Sequence, residues 1–157
     1  MDILRRTVLK GTSAGGVLAA AIAAGLLKPE QVFAADRNKA AFEAKETAVA
    51  MKAFGAGNAA ESKDIQLKAP DIAENGAVVP IDVISKIPNT ISLAVFVDKN
   101  PSPLVAAFDF ANGAQPDISI RAKMGTTSMV RAVAKASDGK FYTTSKEVKV
   151  TAGGCGG

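Results

Sequence analysis

After Gly55-Ala56-Gly57-Asn58 the chain stops reading like a helix and breaks into short apolar runs separated by Gly, Pro, Asn and Asp. This punctuation constrains the fold most. A run of four to ten residues cannot sustain a long helix, whereas it suits a strand that crosses a sheet once before a turn. Strands are expected near Ile65–Lys68, Val78–Ser85, Ile91–Val97, Leu104–Phe110, Ile118–Lys123, Ser128–Ala136 and Phe141–Val150. Strict alternation is clearest in Ile91, Leu93, Val95 and Val97, and again in Ile118 and Ile120. Asn75-Gly76, Asn100-Pro101, Asn112-Gly113 and Asp138-Gly139 supply turn chemistry between them, through tolerance of positive φ or a fixed proline φ. About seven short strands without an intervening helical repeat predict a mostly β, immunoglobulin-like sandwich.

Ahead of the strands, Asp36 through Phe54 reads as one helix with Asp36 as its N-cap. Phe42, Val49, Ala53 and Phe54 are expected to share its buried face, while the charged side chains stay solvated. So little apolar surface needs a sandwich face or a partner to dock on.

Residues 1–34 read as an export signal outside the fold. Arg5-Arg6 precede an uncharged, Ala/Gly-rich run from Gly11 to Leu27, and Val32-Phe33-Ala34 offers a peptidase site. Leu4-Arg5-Arg6-Thr7-Val8-Leu9-Lys10 resembles the twin-arginine motif, which predicts a periplasmic protein exported already folded. The alternative is an uncleaved anchor, for which a 17-residue Ala/Gly run is short and weakly apolar. With cleavage, residues 35–152 form one domain with no remaining membrane segment, and residues 153–157 follow as an arm.

Composition removes several chemistries. There is no histidine, hence no Ser-His-Asp or Cys-His apparatus and no histidine-bound metal or c-type haem. The net charge falls from +4 to +2 once the signal is removed, and there is no tryptophan and one tyrosine, so no nucleic-acid footprint is visible. The acidic residues are scattered and form no credible catalytic pair, and no cofactor motif is present. The conspicuous chemical group is the single cysteine, Cys155, held in Gly153-Gly154-Cys155-Gly156-Gly157.

Glycine flanks make ordering this segment entropically costly and leave it thin enough to enter a narrow cleft. Three residues from Ala152 carry the sulfur on the order of 10 Å past the last strand. Two readings remain open from the residues alone: a thiol presented to other proteins, or a frayed tail whose cysteine is incidental or makes an intermolecular disulfide. No Lys, Arg or His adjoins Cys155, so its thiol is expected near the model value of about 8.5.

Over nearly its whole mature length the chain resembles the SoxY family, sulfur carriers of the bacterial thiosulfate-oxidising Sox system. The likeness rests on Ala69-Pro70-Asp71-Ile72-Ala73-Glu74-Asn75-Gly76 with Val79-Pro80, on Asn100-Pro101-Ser102-Pro103, on the exported N-terminus and early helix, and on the terminal pentapeptide. It implies a carrier without catalysis of its own, with intermediates covalently attached to Cys155 on an arm of Gly153, Gly154, Gly156 and Gly157. It further implies a heterodimer with a SoxZ-like subunit. Transient partners would be a haem-containing oxidase that couples thiosulfate to the sulfur, a hydrolase that releases sulfate, and a downstream sulfane oxidase or acceptor. Long regular edges and the apolar strand Ile91–Val97 are the candidate contacts for the SoxZ-like subunit.

Overall fold

The computed structural model describes residues 38–111 and 113–151. Arg5, Arg6, the predicted N-cap Asp36 and the whole of Gly153–Gly157 with Cys155 lie outside them.

All seven expected strands are present, three of them with the predicted bounds. β1 (Ala60–Glu61), β2 (Ile65–Lys68), β3 (Ile72–Ala73), β4 (Val79–Ser85), β5 (Thr90–Val97), β6 (Leu104–Asp109), β7 (Asp117–Ala122), β8 (Ser128–Ala136) and β9 (Phe141–Val150) follow in order. They build a larger sheet ordered β1-β9-β8-β5-β6, with β3 also on β9, and a smaller one ordered β2-β4-β7. The two sheets form a sandwich whose core is Ile65, Val79, Ile81 and Val83 from one side and Leu93, Val95, Val97, Val130, Ala132, Ala134 and Val148 from the other. The mostly β sandwich is thus as the punctuation predicts.

β1 and β3 are additions. Each is two residues long and pairs in parallel with one edge of β9, β1 at Tyr142 and Thr143, β3 at Lys149 and Val150. A two-residue strand has no periodicity to read, so nothing in the sequence announces it.

The helical segment is interrupted. α1 (Lys39–Glu43) and α2 (Thr47–Phe54) are separated at Ala44–Glu46, and Ala44 is extended with ψ 142°. Asn38 caps α1, its Oδ1 accepting from the Ala41 N–H at 3.1 Å. The break changes the phase of the buried face: Ala41, Ala44 and Ala50 are buried, whereas Val49, expected inward, is 52% exposed.

Both helices lie on the outer face of the larger sheet, where Ala94, Phe96, Leu104 and Val133 form a second core with Ala41, Ala44, Ala50 and Ala56. Along β5 the odd positions therefore face the sandwich and the even ones, Ala94 and Phe96, face the helices. This double burial corrects the expectation that Ile91–Val97 is a partner contact. β5 is an inner strand between β6 and β8, and Leu93 through Val97 are fully buried.

Gly55 ends α2 as foreseen, at φ 95° with its N–H on the Lys52 carbonyl at 3.0 Å. A Cβ there would stand 3.1 Å from the Phe141 ring. Gly55→Ala is expected to cost about 1–2 kcal/mol for the left-handed backbone, with more from displacing Phe141. Urea denaturation checks this, and a variant as stable as the parent would contradict the assigned cap.

Candidate functional site

The sequence directs attention to the end of β9, because Thr151 is the last described residue before the cysteine segment. That end is held on both sides. On one side, Ser128 of β8 pairs with Val148. On the other, β3 runs alongside, the Lys149 N–H donating to the Asp71 carbonyl at 3.0 Å and the Thr151 N–H to the Ala73 carbonyl at 3.1 Å. From above, the Val150 N–H donates to Thr127 Oγ1 at 3.0 Å. Lys146 adds an ion pair to Asp71 Oδ1 at 2.9 Å and a bond to the Ala69 carbonyl. The chain is thus fixed up to Thr151, which sets a firm origin for whatever follows.

Three loops meet around this root: Glu74–Val78, Asp98–Pro103 and Lys123–Thr127, the last between β7 and β8. Glu74–Val78 follows β3, and its Gly76 carbonyl accepts from the Met124 N–H at 2.7 Å. Asp98–Pro103 links β5 to β6, and Asn100 Nδ2 donates to the Lys123 carbonyl at 2.8 Å. The Lys99 N–H donates to Ser128 Oγ at 3.0 Å, joining the same loop to the start of β8. The two segments that look like turns in the sequence, Ala73–Gly76 and Asn100–Pro103, are therefore turns, and both belong to one collar at the root. Asn75 does not adopt positive φ; its Oδ1 accepts from the Ala77 N–H at 2.9 Å, an Asx turn. Asp98 is pinned by a bidentate contact, with Arg131 Nε at 2.9 and 3.1 Å from its two oxygens and Arg131 NH2 at 2.9 Å. This carboxylate raises the Arg131 pKa above its ordinary value, chiefly by accepting its hydrogen bond.

Among the described residues no group of three or more His, Cys, Asp or Glu is placed to hold a metal ion. Two grooves, of about 500 and 480 Å³, lie at the opposite end of the sandwich, beside Gly139–Tyr142 and Ile87–Thr90. What sequence reasoning missed is the role of β3. Ile72 and Ala73 sit inside Ala69–Gly76, one of the segments that carry the family likeness, and a strand of two residues has no alternation by which it could be read.

Comparison with known proteins supplies the family. The family model described as sulfur oxidation protein SoxY matches residues 50–155, a span that runs through the collar to Cys155. The solved structure of the sulfur carrier protein SoxY from Chlorobium limicola f thiosulfatophilum is 42% identical, covering 64% of this chain and 92% of its own at a TM-score of 0.57. Two superoxide reductase (neelaredoxin) structures from Ignicoccus hospitalis, at 16% and 19% identity and TM-score 0.50, cover 63% and 58% of this chain and 86% and 82% of their own. At that identity the likeness is one of fold alone. No curated protein matches by sequence. A family match over two thirds of the chain, together with a carrier of the same fold at 42% identity, settles the assignment: the chain belongs to the SoxY family, with a sulfur-carrier role in sulfur oxidation.

Proposed function

We propose that the chain carries thiosulfate-derived sulfur covalently on Cys155 in the periplasm, as the carrier half of a heterodimer with a SoxZ-like subunit. The observation that carries this reading is the family match, which ends on the cysteine itself, at residue 155. In the first step the Cys155 thiol joins the outer sulfur of thiosulfate; its proton goes to solvent and two electrons pass, one at a time, to the haem-containing coupling oxidase. The product is a cysteine S-thiosulfonate. In the second step water attacks the sulfonate sulfur within a hydrolase; sulfate and one proton leave, and the persulfide, –S–SH, remains on Cys155. A downstream oxidase or acceptor then removes the sulfane sulfur and returns the thiol.

The division of labour is physical. A thiol with no neighbouring base is a modest nucleophile at neutral pH, so activation falls to the enzymes it visits. Export as a folded pair fits a twin-arginine signal on a chain without a cofactor motif. In this reading the chain is a non-enzymatic carrier. Reconstitution tests it: thiosulfate added to the coupling oxidase should reduce its haem only when the carrier thiol is free. Alkylating Cys155 beforehand should abolish that reduction; haem reduction that ignores alkylation would overturn the assignment.

A further inference from the structure

The edges of the two sheets are protected unequally. A strand edge presents unpaired N–H and C=O groups, and proteins ordinarily blunt it with short strands, charges, proline or a covering segment. The larger sheet does so along β9, whose outer side carries β1 and β3. In the smaller sheet, β2 is four residues long and ends on Lys68, and β7 carries Asp117 and Arg121. β6 ends the larger sheet on its other side without such protection. Leu104, Val105, Ala106, Ala107 and Phe108 bring neither charge nor proline, and Ala107, Phe108 and Asp109 are exposed. The extra residue at Val105 lies near the start of β6 and leaves residues 106–109 in regular register with β5.

The direction of the free groups follows from the ladder. The Phe110 N–H donates to the Ile91 carbonyl at 2.9 Å. Bonded positions alternate along an antiparallel pair, so Phe108 opposite Leu93 and Ala106 opposite Val95 turn their N–H and C=O groups toward β5. Those of Ala107 and Asp109 point away from it, and they have no hydrogen-bond partner among the described residues. Apolar surface adjoins this open ladder. Phe108 and Ile91 are each 37% exposed, and Ile91 lines a groove together with Phe110.

We propose that the β6 edge pairs with the β6 edge of a second copy of this chain, antiparallel about a two-fold axis at Ala107. The strand is complementary to itself in that register. Ala107 exchanges both backbone bonds with Ala107 of the second copy, and the irregular Val105 stays at the margin. Phe108 lies over the small Ala106 of the other copy. Asp109 faces Val105 rather than a second Asp109, which would repel it. The contact is one strand pair with a few apolar side chains, smaller than the roughly 800 Å² per partner of a standard interface, so the dimer is weak, with a Kd on the order of 10–100 µM. Seven strand spacings of about 4.8 Å separate one β9 from the other, roughly 34 Å, so each copy keeps its Thr151 end clear of the seam. The inference stands independently of the carrier reading.

The test is sedimentation velocity of the full chain from about 1 to about 500 µM, a range that brackets this Kd, with Cys155 alkylated so that no disulfide joins copies. The parent should pass from monomer to dimer across that range, and amide exchange in β6 should slow as concentration rises. Ala107→Pro removes an outward N–H that β5 does not use, a place where an edge strand accepts proline, and should remain monomeric throughout. Val49→Ser, which removes an exposed aliphatic from α2, should dimerise like the parent. A parent that stays monomeric would overturn the seam, as would a dimer that survives Ala107→Pro or is lost in Val49→Ser. Slowed exchange in β6 that appears only when a SoxZ-like subunit is added would assign the edge to that subunit and remove the second copy from it. If Ala107→Pro melts well below the parent, Phe108→Glu decides by the same readout. It sets a second carboxylate beside Asp109 and should weaken the dimer roughly tenfold or more; an unchanged dimer would overturn the seam.

Discussion

Cys155→Ser is expected to abolish adduct formation entirely while leaving thermal unfolding unchanged. The hydroxyl preserves size and solvation at a position flanked by glycines, and a substitution away from packed features moves stability by no more than about 0.5 kcal/mol. What is lost is the sulfur–sulfur bond itself, for which a serine oxygen has no equivalent. Mass spectrometry of the variant after exposure to thiosulfate and the coupling oxidase checks the first half, and calorimetry the second. A serine variant that still gains sulfur would place the attachment elsewhere. The glycines should show an intermediate effect. Gly154→Val or Gly156→Val keeps the thiol but thickens and stiffens the arm, so loading and release should slow with the fold intact; unchanged flux would remove the need for a thin arm.

Phe96→Ala has the largest expected effect on stability. Phe96 is fully buried in the inner strand β5, on the helix side. Its ring meets Phe54 of α2 edge-on at 6.0 Å, and Phe54 in turn meets Phe141 of β9 at 6.0 Å. Truncation leaves a cavity beneath both helices, costing about 3–5 kcal/mol, and lowers the melting temperature by on the order of 10 °C or more in a domain of this size. The loss should concentrate in the helical layer, visible as early amide exchange in Ala41–Phe54. A melting point within a few degrees of the parent would mean the helices are held by something other than this aromatic row. The same substitution should leave Cys155 chemistry largely intact while the protein is folded, which separates scaffold from carrier.

Much of this architecture is legible from residues in order along the chain. Ile65–Lys68, Ser128–Ala136 and Phe141–Val150 are bounded in the sequence as they are in the structure, because their turn residues impose hard stops. Gly55 marks the end of the helical segment for the same reason. The legible part fails where tertiary context decides. The stop at Ala44–Glu46 carries no Gly or Pro, so the helix reads as continuous; its Ala-rich inner face is visible only once Phe96 and Val133 are known to lie beneath it. β5 reads as a half-buried strand by its alternating Ile91, Leu93, Val95 and Val97, yet the alternate positions are also covered. Period alone cannot report a second layer packed on the outer face. At the site, Cys155 and its glycines stand out by composition, but the collar does not. It joins Gly76 to Met124 and Asn100 to Lys123 across the sheet ends, contacts between positions far apart in the chain.

The central claim is that Cys155 cycles through sulfur adducts drawn from thiosulfate. The most direct measurement is the intact mass of the native protein from a periplasmic fraction, recorded non-reduced and then reduced, with and without thiosulfate supplied to the cells. The account predicts a mature chain beginning near Ala35 that gains sulfur or sulfur-oxyanion mass on Cys155 only when thiosulfate is present, and loses it on reduction. A single disulfide partner that is the same with and without thiosulfate would contradict it, and would make the cysteine a structural link.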